Sequence, residues 1–125
     1  MCRTSYRLLS KLQIDMADFT PPNLPNGGSA PLYNDRIIAH EMVRAIMGRS
    51  MNFTALPTWF KEGTAEFIHG ADERVAADIA AAGGDNAGIT SVVNTISSWS
   101  LTSANYSSAY IATRYLNEKL KSAGN

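Results

Sequence analysis

The sequence predicts an α+β domain that is mostly α-helical, and three observations predict it. Five stretches between Asn34 and Lys121 carry apolar residues at helical spacing, each bounded by a residue that caps helices or by a glycine that stops them. The segment Leu12-Gln13-Ile14-Asp15-Met16 alternates apolar and polar side chains, a strand pattern, although Leu8, Leu12, Met16 and Phe19 also suit a helix. Between the two regions, Pro21 to Pro31 with Asn26-Gly27-Gly28 inside it reads as a loop.

The first helix has Asn34 or Asp35 as its cap, an apolar run through Ile37, Ile38, Met42, Val43, Ile46 and Met47, and Gly48 as a stop. The second starts near Pro57, which suits a first helical turn, with Thr58 as a candidate cap, and runs through Trp59, Phe60, Ala65, Phe67 and Ile68 to Gly70. Asp72 can cap a third, through Val75, Ile79 and Ala82 to Gly83-Gly84, whose alanine-rich face suggests close packing. Ile89 to Trp99 is a short helix with Ile89, Val92, Val93 and Ile96 spaced for burial. The last begins after Thr102 or Ser103 and runs to about Lys121, burying Tyr106, Ala109, Tyr110, Leu116 and Leu120, with Lys119 and Lys121 complementing the helix dipole.

The chemistry concentrates on the first two helices. His40-Glu41-Met42-Val43-Arg44 stands where a zinc peptidase has His-Glu-x-x-His, and Glu62-Gly63-Thr64-Ala65-Glu66 follows. Residues four apart on a helix face the same way, so two imidazoles at that spacing can grip one metal while the Glu between them reaches the bound water. Here only the first imidazole is present, and His40 and Arg44 point together. The second helix puts Glu62 and Glu66 on one face. If it crosses the first, Glu62 is placed as the third metal ligand and Glu66 as the outer partner of the other His40 ring nitrogen.

The stretch from His40 to Val75, centred on Trp59-Phe60-Lys61-Glu62-Gly63-Thr64-Ala65-Glu66-Phe67, resembles the catalytic core of the gluzincin metallopeptidases. It is most similar to flagellinolysin, the metallopeptidase domain inserted in some bacterial flagellins, and more distantly resembles clostridial collagenase. The likeness takes in Asp15-Met16-Ala17-Asp18-Phe19-Thr20-Pro21-Pro22-Asn23 and Tyr106-Ser107-Ser108-Ala109-Tyr110; residues 1 to 11 fall outside it and are candidates for disorder. The resemblance implies a single zincin-like domain over residues 1 to 125, in which a short N-terminal strand runs beside the active-site helix and offers main-chain hydrogen bonds to an extended substrate. It further implies zinc held by His40 and Glu62, Glu41 as general base, Glu66 behind His40, and Tyr106 or Tyr110 as oxyanion stabiliser. The expected substrate is an extended peptide or protein, with flagellin a candidate partner, and the expected location is extracellular on a bacterial flagellum. A cytoplasmic location fits the sequence equally.

Arg44 is the departure. A guanidinium stays protonated and has no lone pair for a metal. At about 4 Å from a dication it is opposed by roughly 8 kcal/mol at an effective dielectric near 20. Two outcomes are open: an impaired zinc endopeptidase with Arg44 turned to solvent, or a metal-free pseudoenzyme in which Arg44 substitutes for zinc between Glu62 and Glu41 or Glu66, leaving a structural or peptide-binding module.

His69 lies seven residues beyond Glu62, about 10 Å along the helix axis, too far for both to bind one ion; a helix C-cap or a contact with Glu73 is expected of it. The lone Cys2 allows no internal disulfide. Zero formal net charge and an apolar share of 45% suit one small globular domain, and with no basic stripe they argue against a nucleic-acid surface. The basic Arg3, Arg7 and Lys11 precede no uninterrupted apolar run, so neither a secretory signal nor a membrane span is expected.

Overall fold

The computed structural model describes residues 34–124, which form five α-helices and two single turns of 3-10 helix. In chain order they are α1 (Asn34–Ser50), a 3-10 turn (Phe53–Ala55), α2 (Thr58–His69), α3 (Asp72–Ala81), α4 (Asp85–Asn94), a 3-10 turn (Thr95–Ser97) and α5 (Ser103–Gly124). Among the described residues there is no strand, so the expected α+β, zincin-like core is incorrect for them and the architecture is a helical bundle. The physical reason is visible in the connections. Only two residues separate α2 from α3 and three separate α3 from α4, leaving no length for a strand between patterns that are themselves helical. The strand expected at Leu12–Met16 and the loop expected at Pro21–Pro31 lie outside the described residues.

Helix α2 is the centre of the arrangement, packed against α1 on one side and α5 on the other, while α3 and α4 pack on each other and on α5. Val43, Met47 and Ala65 form the apolar cluster between α1 and α2, with Phe53, Leu56 and Phe60 packed around it. Met42 and Ile46 lie on the outer face of α1 and are exposed, so within that apolar run Val43 and Met47 are the fully buried members. Leu120, expected to be buried on α5, is exposed as well.

The α2–α5 crossing is built from small residues. A Cβ on Gly63 would stand 2.3 Å from both the Ala109 carbonyl oxygen and Thr113 Oγ1, so the backbones meet at that glycine. Close approach of α3 and α4 is likewise made by a glycine of α4, Gly88, against the Ile79 carbonyl, and not by the alanine-rich face of α3. Helix α2 ends at Gly70 with φ of 84°, a left-handed conformation that glycine adopts without strain.

The start of α5 is fixed by a reciprocal cap. Thr102 Oγ1 accepts from the Asn105 backbone N–H at 3.3 Å, and Asn105 Oδ1 accepts from the Thr102 N–H at 3.2 Å. Asn105 is fully buried and also donates Nδ2 to the carbonyls of Thr95 and Ser98, which ties the end of α4 to the start of α5. No helix among the described residues is long and apolar enough to cross a membrane.

Candidate functional site

Four helices converge on one polar cluster. Helix α1 contributes His40, Glu41 and Arg44, α2 contributes Glu62, Glu66 and His69, α3 contributes Arg74, and α5 contributes Tyr106. The helical repeat places His40 and Arg44 on the face of α1 that meets α2, and Glu62 and Glu66 on the facing side of α2.

His40 is held at both ring nitrogens. Nε2 lies 2.8 Å from Glu62 Oε2, and Nδ1 lies 3.1 Å from Glu66 Oε1. The second oxygen of Glu62 accepts from Arg44 Nη1 at 2.5 Å, and Arg44 Nε stands 4.0 Å from Glu41 Oε2. Glu66 Oε1 also meets His69 Nε2 at 3.2 Å, while Arg74 Nε stands 3.4 Å from Glu66 Oε2 as a charge contact without hydrogen-bond geometry.

These are buried charges, and their ionisation follows from the pairing. Burial alone would push the His40 imidazolium down, but the hydrogen bonds and negative charge of Glu62 and Glu66 outweigh it and hold His40 up at about 9. Burial would likewise push Glu66 up, yet His40, His69 and Arg74 bring it down to about 2. Glu62 is lowered in the same way, against its own burial, by His40 and Arg44. At neutral pH the cluster is therefore a chain of ion pairs, Arg44 to Glu62 to His40 to Glu66, and buried charge is tolerable only in such pairs.

Beside the cluster a cavity of about 270 Å³ is lined by Arg36, Ile37, His40, Glu41, Glu66, His69, Arg74 and Tyr106. Tyr106 makes an edge-to-face contact with Trp99 and lies under the Arg74 guanidinium. The structure separates the two tyrosines that the sequence could not. Tyr106 borders the cavity, whereas the Tyr110 hydroxyl donates to Asp72 Oδ1 at 2.6 Å and lines a different groove.

His69 is placed otherwise than its sequence position suggested. It neither caps α2 nor reaches Glu73, which pairs with Arg36; instead it turns back one helical turn onto Glu66. Its carboxylate partner is not the distant Glu62 but Glu66, which lies between them at the spacing where helix side chains meet. Arg74 had no local signal at all: it belongs to α3 and reaches the cluster only because α3, leaving α2 through the Gly70-Ala71 turn, packs against α5.

A zinc ion does not fit at the position that the His40-x-x-x-Arg44 and Glu62 pattern resembles. Arg44 brings a permanent cation to the same Glu62 carboxylate that a metal beside His40 Nε2 would need, and offers no lone pair in exchange. The solvent-exposed Glu41 carboxylate borders the cavity, but no metal-bound water can be set before it from this arrangement. No family model, curated protein or solved structure matches the chain.

Proposed function

We propose that this domain is a catalytically silent relative of flagellinolysin-type metallopeptidases, in which Arg44 has taken over the place of the zinc and the cleft receives an extended peptide without cutting it. The observation that supports it is the Arg44 Nη1 to Glu62 Oε1 pair at 2.5 Å, with His40 on the other oxygen of the same carboxylate. The reading rests on this constellation of residues on two crossing helices and on the sequence resemblance, not on a shared fold. Location on a flagellar filament, with flagellin as partner, follows from the resemblance alone.

The competing reading, an impaired zinc endopeptidase, draws on Glu41, which keeps an exposed carboxylate at the cavity. Proteolysis decides between them. The unaltered chain and Arg44→His are incubated with zinc and an unfolded protein substrate, and binding of a labelled peptide library is followed by fluorescence anisotropy. The expected result is saturable peptide binding with no cleavage by the unaltered chain. Cleavage by the unaltered chain that a chelator abolishes would overturn the proposal, as would failure to bind any peptide.

A further inference from the structure

We infer that the domain has a divalent-metal site one helical turn away from the resembled one, formed by His40 Nδ1, Glu66 Oε1 and His69 Nε2. The inference goes beyond the peptide-binding reading and shares with it only the premise that Arg44 keeps metal off Glu62.

The geometry carries it. Two imidazole nitrogens converge on one carboxylate oxygen at 3.1 and 3.2 Å. Ligand atoms of a tetrahedral zinc ion with bonds of about 2.0 Å stand about 3.3 Å from one another, so these two separations already match a bound ion and the spacing of the two imidazole nitrogens is the one left to adjust. The three residues form the cluster of suitable donors found among the described residues, with their ligand atoms all within 4.8 Å of one another. Their side chains are withdrawn from solvent, at 11%, 3% and 5% exposure for His40, Glu66 and His69.

The surroundings supply what a bound imidazole needs. With metal on Nδ1 in place of the proton now directed at Glu66, His40 keeps its Nε2–H on Glu62, and the ring is oriented by a carboxylate on its far side. Glu62 and Glu66 thus exchange the roles that the resemblance gave them: Glu66 becomes the ligand and Glu62 the outer partner. Arg44 then no longer opposes the ion directly, because it holds the remote oxygen of Glu62. Arg74 sits against Glu66 Oε2 and leaves Oε1 for the metal. The adjoining cavity gives a water room to complete the coordination. Two imidazoles and one carboxylate select a first-row divalent cation over magnesium or calcium.

The test uses the full chain. Zinc per chain is measured by equilibrium dialysis for the unaltered protein, His69→Gln and Glu62→Gln, and the number of imidazoles around the bound metal is counted by X-ray absorption on the unaltered protein. We expect about one zinc per chain, two imidazoles at the ion, loss of binding in His69→Gln, and binding about 10- to 100-fold weaker in Glu62→Gln. The imidazole count needs no variant and so does not depend on either one folding. Absence of zinc overturns this inference and leaves the silent-peptidase reading standing. Zinc with a single imidazole, unaffected by His69→Gln and lost in Glu62→Gln, overturns both.

Discussion

The guanidinium of Arg44 and the carboxylate of Glu62 form a pair across the α1–α2 interface, with Nη1 2.5 Å from Oε1 while His40 holds the other oxygen at 2.8 Å. Glu62 is almost wholly buried and Arg44 about one third exposed, so the arginine caps a carboxylate that water reaches poorly. Hydrogen bonds to charged groups contribute about 1.5 to 3 kcal/mol, and the exposure of Arg44 places this one at the lower end. Arg44→Ala is therefore expected to destabilise the metal-free protein by about 1 to 2 kcal/mol, read as a lower urea midpoint with an unchanged slope. Arg44→Met, which keeps an unbranched apolar side chain but loses the charge and the guanidinium over Phe53, should lose nearly as much. An unchanged midpoint in both variants would mean that Glu62 is satisfied by His40 alone.

The same cluster sets a pH dependence. His40 is raised from 6.5 to about 9 by Glu62 and Glu66 against the opposing effect of burial. A group whose pKa is raised on folding adds stability that is complete below its unfolded value and disappears as pH climbs through the folded one. In the presence of chelator, stability should thus fall between about pH 6.5 and 9, by up to about 3 kcal/mol at 1.4 kcal/mol per unit. On the acid side Glu66, lowered to about 2, adds stability that is present above 4.5 and lost as pH drops toward 2. Both limbs report the same ion pairs and are not additive. Urea midpoints of the unaltered chain and His40→Gln across pH 5 to 10 check the basic limb, which should be flat in the variant.

Much of the helical layout was legible because it depends on local signals. The Gly70 stop, the Gly83-Gly84 turn and the cap at Thr102 act within a few residues, and the helix limits follow them closely. His40, Arg44, Glu62 and Glu66 were legible as a group because helical spacing alone brings each pair to one face. What the sequence concealed is set by tertiary direction. Met42 and Ile46 are as apolar as Val43 and Met47, yet only the latter face α2. Arg74 joins the cluster through the angle at which α3 leaves Gly70, and no periodicity encodes that angle. The strand expectation came from the alternation at Leu12–Met16 together with the resemblance, and that segment lies outside the described residues.

Gly63 should be the least replaceable position on α2. A methyl group there would collide with backbone at Ala109 and with Thr113 Oγ1, both at 2.3 Å, and the backbone of α5 cannot step aside without opening the α2–α5 interface. Gly63→Ala is expected to cost more than about 3 kcal/mol, at the upper end of overpacking effects. Gly48→Ala on α1, where nothing lies within 4 Å, should instead stabilise by about 0.5 to 1 kcal/mol through helix propensity. Thermal unfolding of the two variants side by side tests the crossing geometry. A tolerated Gly63→Ala would show that α2 and α5 are farther apart than described.

Asn105 is the other position where one side chain decides the local structure. Its Oδ1 accepts from the Ser100 and Thr102 backbone N–H groups at 2.8 and 3.2 Å, and its Nδ2 donates to Thr95 O at 2.8 Å and Ser98 O at 3.2 Å, with the Asn105 side chain itself wholly buried. Replacing Asn105 by Asp preserves the shape and the accepting oxygen but turns the donor into a second acceptor facing two carbonyls. The expected loss is about 3 kcal/mol at neutral pH, from two unsatisfied carbonyls and a buried carboxylate that they repel. Because that carboxyl would have its pKa raised on folding, the penalty is full above the folded value and fades as pH falls toward the unfolded value near 3.9, where the protonated acid can donate once. Urea unfolding of Asn105→Asp and the unaltered chain at matched pH values between 3.5 and 7 should therefore show the gap narrowing in acid. A gap independent of pH would mean that the amide donates to neither carbonyl, and that the junction between α4 and α5 is held by the Thr102 cap alone.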